Sequence, residues 1–347
     1  MAGPSDTLGR PDGHHTGRPT GRPTGRPIGR PAAGSIDLAT IRPAPPLPRP
    51  LGQPASAGLP ALPLAFAAVP EAKLSQEAFG FLADLLKSRS GLVIGPDKLY
   101  LLETRLAPIV RRERLPDLTA LVDRLRGIRP GSATDALAAL VVEAMTTNES
   151  LFFRDGKPFV HLREQALRTL AAARPPGAKL RIWSAASSSG QEAYSLAMVL
   201  ADCRPALGDR SAEIIGTDIA REQVLRARAG LYSQFEVQRG LPMQMLVKHF
   251  RKEEGGWRVS EALRNMVQFR EWNLLSDLSP LGRFDIVFCR NVLIYFDQPT
   301  KRRVLETIAR LMPRDGLLYL GGAETVLGIT DRFIPLPGER GVYAPAA

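Results

Sequence analysis

Residues 180–200 read Leu180-Arg-Ile-Trp-Ser-Ala-Ala-Ser-Ser-Ser-Gly-Gln-Glu-Ala-Tyr-Ser-Leu-Ala-Met-Val-Leu200. Residues 180–184 read as a short strand and residues 192–200 as a helix. Between them, Ser184-Ala-Ala-Ser-Ser-Ser-Gly-Gln191 is a run of small side chains with one glycine, Gly190. Small residues let a backbone approach a ligand closely, and a helix N-terminus offers unpaired N–H groups. The loop reads as a ligand-binding turn or as a tight structural one. It has one glycine where a dinucleotide fingerprint has three.

The strand-then-helix unit recurs downstream. Ala212-Glu-Ile-Ile-Gly-Thr217 reads as a strand, followed by a helix over residues 220–229. Phe284-Asp-Ile-Val-Phe-Cys289 and Gly316-Leu-Leu-Tyr-Leu320 read as strands on either side of a helix at 300–311. This alternation predicts a parallel sheet covered on both faces. Arg332-Phe-Ile-Pro335 and Gly341-Val-Tyr343 predict a short hairpin at its edge. Residues 231–265 break the alternation and read as an insertion, with Gly255-Gly256 as a hairpin turn. Upstream, Ala78, Phe79, Phe81, Leu82, Leu85 and Leu86 recur at helical spacing, with Gly91 as a stop. A second helix follows Asp97 and carries Leu99, Leu102, Leu106, Ile109 and Val110, with a kink expected at Pro108. Residues 118–125 and 133–145 complete a small helical unit, and no strand signal precedes Lys179.

The chain has 347 residues and a formal charge of +11. Half of its 30 prolines fall within residues 1–70. Residues 17–31 repeat Gly-Arg-Pro-x with a period of four. Proline removes backbone donors and glycine maximises chain entropy, so residues 1–70 read as a disordered tail. Its seven Arg against three Asp give +4, leaving +7 for the rest. The tail reads as an electrostatic arm or as a solvated spacer. Two cysteines, Cys203 and Cys289, exclude a disulfide framework and a cysteine zinc site. No apolar run is long enough to span a membrane and no signal peptide opens the chain, so a cytoplasmic protein is expected. No metal is expected. The basic excess points to an acidic partner, whether nucleic acid, membrane surface or protein.

Three segments fall at the carboxyl ends of the expected strands, where open α/β sheets bind ligands. The first is the loop at 184–191. The second is Gly216-Thr-Asp218, whose acid can accept two ribose hydroxyls or cap the next helix. The third is Asn291-Val-Leu-Ile-Tyr-Phe-Asp297, with polar Asn291 and Tyr295 in an apolar run; Tyr295 reads equally as a half-buried aromatic. A fourth segment, Met145-Thr-Thr-Asn-Glu-Ser-Leu-Phe-Phe-Arg-Asp155, lies between the helical unit and the sheet, and domain junctions favour ligand sites. Its polar residues could simply cap a helix, and Phe152 and Phe153 could simply be core.

In this order the segments closely resemble the CheR-type chemoreceptor methyltransferases, class I S-adenosylmethionine-dependent enzymes that esterify receptor glutamates. The match covers residues 74–343 and rests on Thr147–Asp155, Ile182–Ser195, Gly216–Ile219, Asn273-Leu-Leu275 and Phe288–Asp297. It implies an α/β class I methyltransferase fold: a Rossmann-like, seven-stranded, mostly parallel sheet at 147–347, a small all-α N-terminal domain at 71–146, and a small β-rich insertion at about 231–265. Carried over by residue, it implies that Asn148, Ser150 and Arg154 touch the cofactor, with Ser150 replacing the family's usual Thr. Glu192 would reach the methionine amino group, Asp218 the ribose hydroxyls, and Asn273 and Leu274 the adenine. Arg290 and Asn291 would line the floor, and Arg154 and Tyr295 would bracket the methyl transfer point. The family loop usually reads Cys-Ser-x-Gly-Glu-Glu-Pro; here Gln191 and Ala193 replace its first Glu and its Pro.

The chemistry agrees with the resemblance. A carboxylate is already a nucleophile near neutral pH, so ester formation needs no general base. The enzyme mainly aligns the reactants and excludes water. With four histidines and no candidate base in the motifs, methylation of an alcohol or phenol fits less well. The acceptor would be an acidic receptor helix, and Arg105, Arg111, Arg112 and Arg114 form a docking strip for it or an ordinary solvated face. The alternatives are a nucleic-acid methyltransferase, against which stands the lack of an aromatic-and-basic strip, and a cofactor-binding receptor adaptor without catalysis.

Overall fold

A computed structural model of the chain describes residues 74–346. The expected tail at 1–70 lies outside the described residues. Helices α1 (Gln76–Ser90), α2 (Leu99–Arg112), α3 (Leu118–Arg126) and α4 (Ala133–Met145) come first. Ser75, Asp117 and Ser132 cap three of them by accepting N–H groups of Ala78, Ala120 and Asp135, which removes unpaired donors from the first turn. The helices pack on one another through Leu82, Leu86, Leu102, Leu106, Leu121 and Val141, a core of their own. Helix α2 continues through Pro108. Gly91 ends α1 at φ +80°, where a Cβ would lie 3.0 Å from the Phe296 ring and from the Thr300 methyl. Only glycine lets the helical unit press this closely on the sheet domain.

The chain then enters a helical stretch unread in the sequence: α5 (Lys157–His161) and α6 (Leu167–Ala172), joined by a wider π turn at Leu162–Ala166. The remaining helices are α7 (Gln191–Asp202), α8 (Arg204–Leu207), α9 (Arg221–Ala229), α10 (Gln234–Gln238), α11 (Met243–His249), α12 (Glu261–Arg264) and α13 (Gln298–Arg310). The strands are β1 (Lys179–Ala185), β2 (Ser211–Asp218), β3 (Leu231–Tyr232), β4 (Phe250–Glu253), β5 (Gly256–Val259), β6 (Val267–Glu271), β7 (Ile286–Cys289), β8 (Leu317–Leu320), β9 (Phe333–Pro335) and β10 (Val342–Pro345).

Seven strands form one sheet in the order β6-β2-β1-β7-β8-β10-β9. The first five pair in parallel, and β10 pairs antiparallel with both β8 and β9. Side chains alternate between the faces. Ile182, Ile286, Phe288 and Tyr319 pack with α5, α6 and α7 on one face. Trp183, Val287, Cys289, Leu318 and Leu320 pack with α13 on the other. The seven-stranded, mostly parallel sheet with a preceding all-α domain is therefore as expected. The insertion carries a small antiparallel sheet, β3-β5-β4, whose hairpin turns at Gly255 and Gly256; three short helices accompany it. It buries Tyr232 and Phe250 edge-on against Phe152, placing it under the junction between the two domains.

Candidate active site

The parallel strands β1, β2 and β7 all point their carboxyl ends at the seam with the helical domain. A cleft opens there. It brings together ten residues singled out in the sequence: Asn148, Ser150, Arg154, Glu192, Asp218, Asn273, Leu274, Arg290, Asn291 and Tyr295. It also includes Ser90 and Leu92 from the end of α1, and Trp272 just past β6. Ser90 and Leu92 had no motif around them, and Trp272, which directly precedes the Asn273-Leu-Leu275 block, had only its position past a strand as a signal.

The loop after β1 is held tightly. Ala186 and Ser188 sit at φ +55° and +48°, a conformation that costs an ordinary residue roughly 1 kcal/mol or more. Hydrogen bonds offset that cost. Ser187 donates its N–H to the Thr217 carbonyl at 2.8 Å. Ser188 donates its N–H to Asp218 Oδ2 at 2.7 Å and its hydroxyl to the Asn148 carbonyl at 2.9 Å. Tyr232 of the insertion donates its hydroxyl to the Ser189 carbonyl. A Cβ on Gly190 would come within 2.9 Å of the Ala227 methyl, so this turn requires glycine. Gln191, one of the two departures from the family loop, is buried and accepts the Ser189 hydroxyl at 2.9 Å. Its side chain braces the loop from behind.

Asp218 is buried and accepts one N–H on each oxygen, from Ser188 and from Ala220 at 2.9 Å. The expected alternative, a cap for the following helix, does not hold. The N-cap of α9 is Ala220, without any side-chain bond. Burial pushes the Asp218 carboxyl above its ordinary range, and the two N–H groups pull it back. Each oxygen retains a lone pair for a hydroxyl donor.

Arg290 lies under the cleft with its side chain 1% exposed. It donates to Glu192 Oε2 at 3.0 Å, to Asp155 Oδ2 at 2.6 Å and to the Arg154 carbonyl at 3.0 Å. Glu192 also accepts the Ser184 hydroxyl at 2.8 Å. Burial raises the Glu192 carboxyl above its ordinary range, and the Arg290 charge only partly opposes this. Arg290 thus joins the junction loop to the first sheet helix. Arg154 donates to the Glu149 carbonyl at 3.2 Å. Asn273 donates its amide to the Arg89 carbonyl at 2.6 Å and accepts the Leu275 N–H, so it ties the helical domain to the turn after β6. Tyr295 accepts the Val93 N–H on its carbonyl at 3.0 Å. Phe152 is core, and Phe153 packs partly buried against it.

The arginine strip on α2 requires correction. Arg105 donates to the Met145 and Thr146 carbonyls at 2.8 and 2.9 Å. It closes the last turn of α4, where free carbonyls attract a cation, and ties up its half-buried side chain at the junction. Arg114 lies beyond the end of α2 at φ +55°. Arg111 and Arg112 are exposed on the helix, and Arg112 contacts Glu113.

The residues of the cleft fit an adenosyl cofactor. Trp272, Leu274 and Ile219 offer apolar walls for a base, Asp218 offers acceptors for two hydroxyls, and Glu192 places a carboxylate for an ammonium at the other end. A mostly parallel seven-stranded sheet with an antiparallel edge and this cleft define a class I methyltransferase. The family described as CheR methyltransferase, SAM binding domain, matches residues 148–342, and CheR methyltransferase, all-alpha domain, matches residues 77–144. Chemotaxis protein methyltransferase 1 of Vibrio cholerae is 40% identical over 264 residues, covering 75% of this chain and 93% of that protein. Chemotaxis protein methyltransferase 1 of Pseudomonas aeruginosa is 40% identical over 252 residues, covering 72% and 90%. Chemotaxis protein methyltransferase of Escherichia coli is 34% identical over 276 residues, covering 78% and 91%. The chain belongs to the CheR methyltransferase family, and S-adenosylmethionine is its cofactor. No helix among the described residues is long and apolar enough to cross a membrane.

Proposed function

We propose that the chain transfers the methyl group of S-adenosylmethionine to glutamate carboxylates on the cytoplasmic helices of chemoreceptors, forming methyl esters. One observation carries this reading: every carboxylate lining the cleft is already engaged. Glu192 is held by Ser184 and Arg290, and Asp218 by two N–H groups. Glu149 is paired with Arg239 at 2.8 Å, which keeps its carboxyl below its ordinary range. In this reading Glu192 and Asp218 are committed to the cofactor and Glu149 to Arg239, so none is left to take a proton from an alcohol, a phenol or an amine. A carboxylate acceptor needs no such step. Arg154 uses one bond on Glu149 and has further N–H groups to orient the incoming carboxylate, and Tyr295 also lines the cleft.

In this reading residues 71–146 dock the receptor helix through Arg111 and Arg112, and residues 147–347 carry the transfer. Ser150, Asn148 and Leu274 contact the cofactor, and Arg154 and Tyr295 flank the acceptor. The names of the relatives support the receptor as substrate. The test is transfer of a tritiated methyl group to receptor-bearing membranes and, in parallel, to RNA. Base-labile label on receptor protein is expected. Label on RNA, or bound cofactor with no label anywhere, would sink the proposal. Arg154→Ala is expected to abolish transfer while keeping most cofactor affinity.

A further inference from the structure

The turn from Asn291 to Phe296 forms one wall of the cleft through Asn291, Val292, Tyr295 and Phe296. It is neither regular helix nor strand. Asn291 sits at φ +60°, and its N–H and those of Val292 and Ile294 converge instead of running along a regular helix. Such converging N–H groups make an anion cradle. Here the anion comes from the chain itself. Glu324, 9% exposed, accepts the Asn291 N–H at 2.8 Å and the Gly321 N–H at 2.7 Å on Oε2. On Oε1 it accepts the Val292 N–H at 3.0 Å and the Ile294 N–H at 3.3 Å. One carboxylate therefore satisfies four backbone donors from two segments, the turn after β7 and the turn after β8.

We propose that Glu324 is the positioning residue of this wall: its carboxylate sets the Asn291–Phe296 turn in the shape that receives the cofactor. Charge-assisted bonds are the strong class of hydrogen bond, and four on one group leave the turn little freedom. Gly321 is part of the device. A Cβ there would lie 2.7 Å from Glu324 Oε2 and 3.0 Å from the Asn291 nitrogen. The proposal requires only that the cleft holds S-adenosylmethionine, and it stands apart from the identity of the methyl acceptor.

The experiment is titration calorimetry with S-adenosylhomocysteine, which needs no acceptor, on folded protein. Glu324→Gln turns an NH₂ group toward two N–H donors, so its Kd is expected to rise about tenfold or more. Gly321→Ala displaces the same carboxylate from the other side and is expected to weaken binding similarly. It decides the matter where Glu324→Gln does not fold. Arg174→Gln serves as the comparison. It breaks ion pairs to Asp285 and Asp315 before β7 and β8, at the end of the sheet away from the cleft. It should lower Tm and leave the Kd unchanged. A folded Glu324→Gln or Gly321→Ala protein with the parental Kd overturns the proposal, because a purely structural carboxylate would move only Tm. Failure of receptor labelling in the parent would overturn the proposed function and leave this inference intact.

Discussion

Replacing Arg290 with methionine removes the cation from beneath the cleft and keeps most of its bulk. Glu192 then loses its closest charge partner, with its own side chain only 13% exposed. Breaking a buried ion pair from one side costs about 3–5 kcal/mol. For a folded body of this size, that lowers Tm by roughly 10 °C. The loss carries a pH signature. Burial already raises the Glu192 carboxyl above its ordinary value, so at pH between its unfolded and folded values the native state holds more proton there than the unfolded chain. The stability from that proton is complete below the unfolded pKa and fades as pH rises through the folded one. Without Arg290 the folded pKa climbs further, so the variant suffers most at pH 7 and recovers toward pH 5. The assay is denaturant unfolding of variant and parent at both pH values, compared as differences. Adding Glu192→Gln to Arg290→Met should restore most of the stability, since the stranded charge is gone. A difference that stays constant or grows at pH 5, or a double variant no better than the single, would refute the reasoning.

Four further outcomes follow from the geometry. Asp218→Asn presents an amide to one of two N–H groups and to the ribose, so affinity for S-adenosylhomocysteine should fall roughly ten- to a hundredfold by calorimetry. Gly240→Ala places a Cβ 2.1 Å from the Phe152 carbonyl oxygen at φ +85°; it should cost more than about 2 kcal/mol, and an unchanged Tm would mean that the insertion does not press on the junction loop. Arg105→Ala should lower Tm by several degrees through the freed carbonyls of α4, by about 1.5–3 kcal/mol. Arg111→Ala should leave Tm alone and slow receptor methylation more at low salt than at high salt.

The site was legible in the sequence where it is local. The small-residue loop before α7, Asp218 and the Asn291–Asp297 run each follow a strand directly, so position along the chain gave their position in space. Residues from α1 were harder to see, because Ser90 and Leu92 reach the cleft only through the packing of separate domains. The helical stretch after Gly156 was legible but unread. Phe159, Leu162, Ala166, Leu167 and Leu170 are all buried and lie at i, i+3, i+7, i+8 and i+11, the spacing of one helical face, in spite of the π turn between them. Arg105 shows a further limit. A helix-face arginine looks alike in sequence whether it meets solvent or closes the end of another helix. Glu324 is the strongest case: four donors meet on one side chain, three of them from thirty or more residues away, a relation that only the fold creates.

The cleft has one lip from α1 and the other from the sheet, and the Asn273–Arg89 bond stitches them together at one edge. Any ligand in it is therefore mortar between two masonry blocks. Binding that favours only the assembled state adds about 2.7 kcal/mol to stability at a hundred times Kd. The demethylated product keeps the nucleoside and amino-acid ends of the cofactor, so it grips both blocks as well. The product-bound enzyme is thus sturdier than the empty one. Spent cofactor above its own Kd should make the protein harder to unfold or digest than it is with the cleft empty.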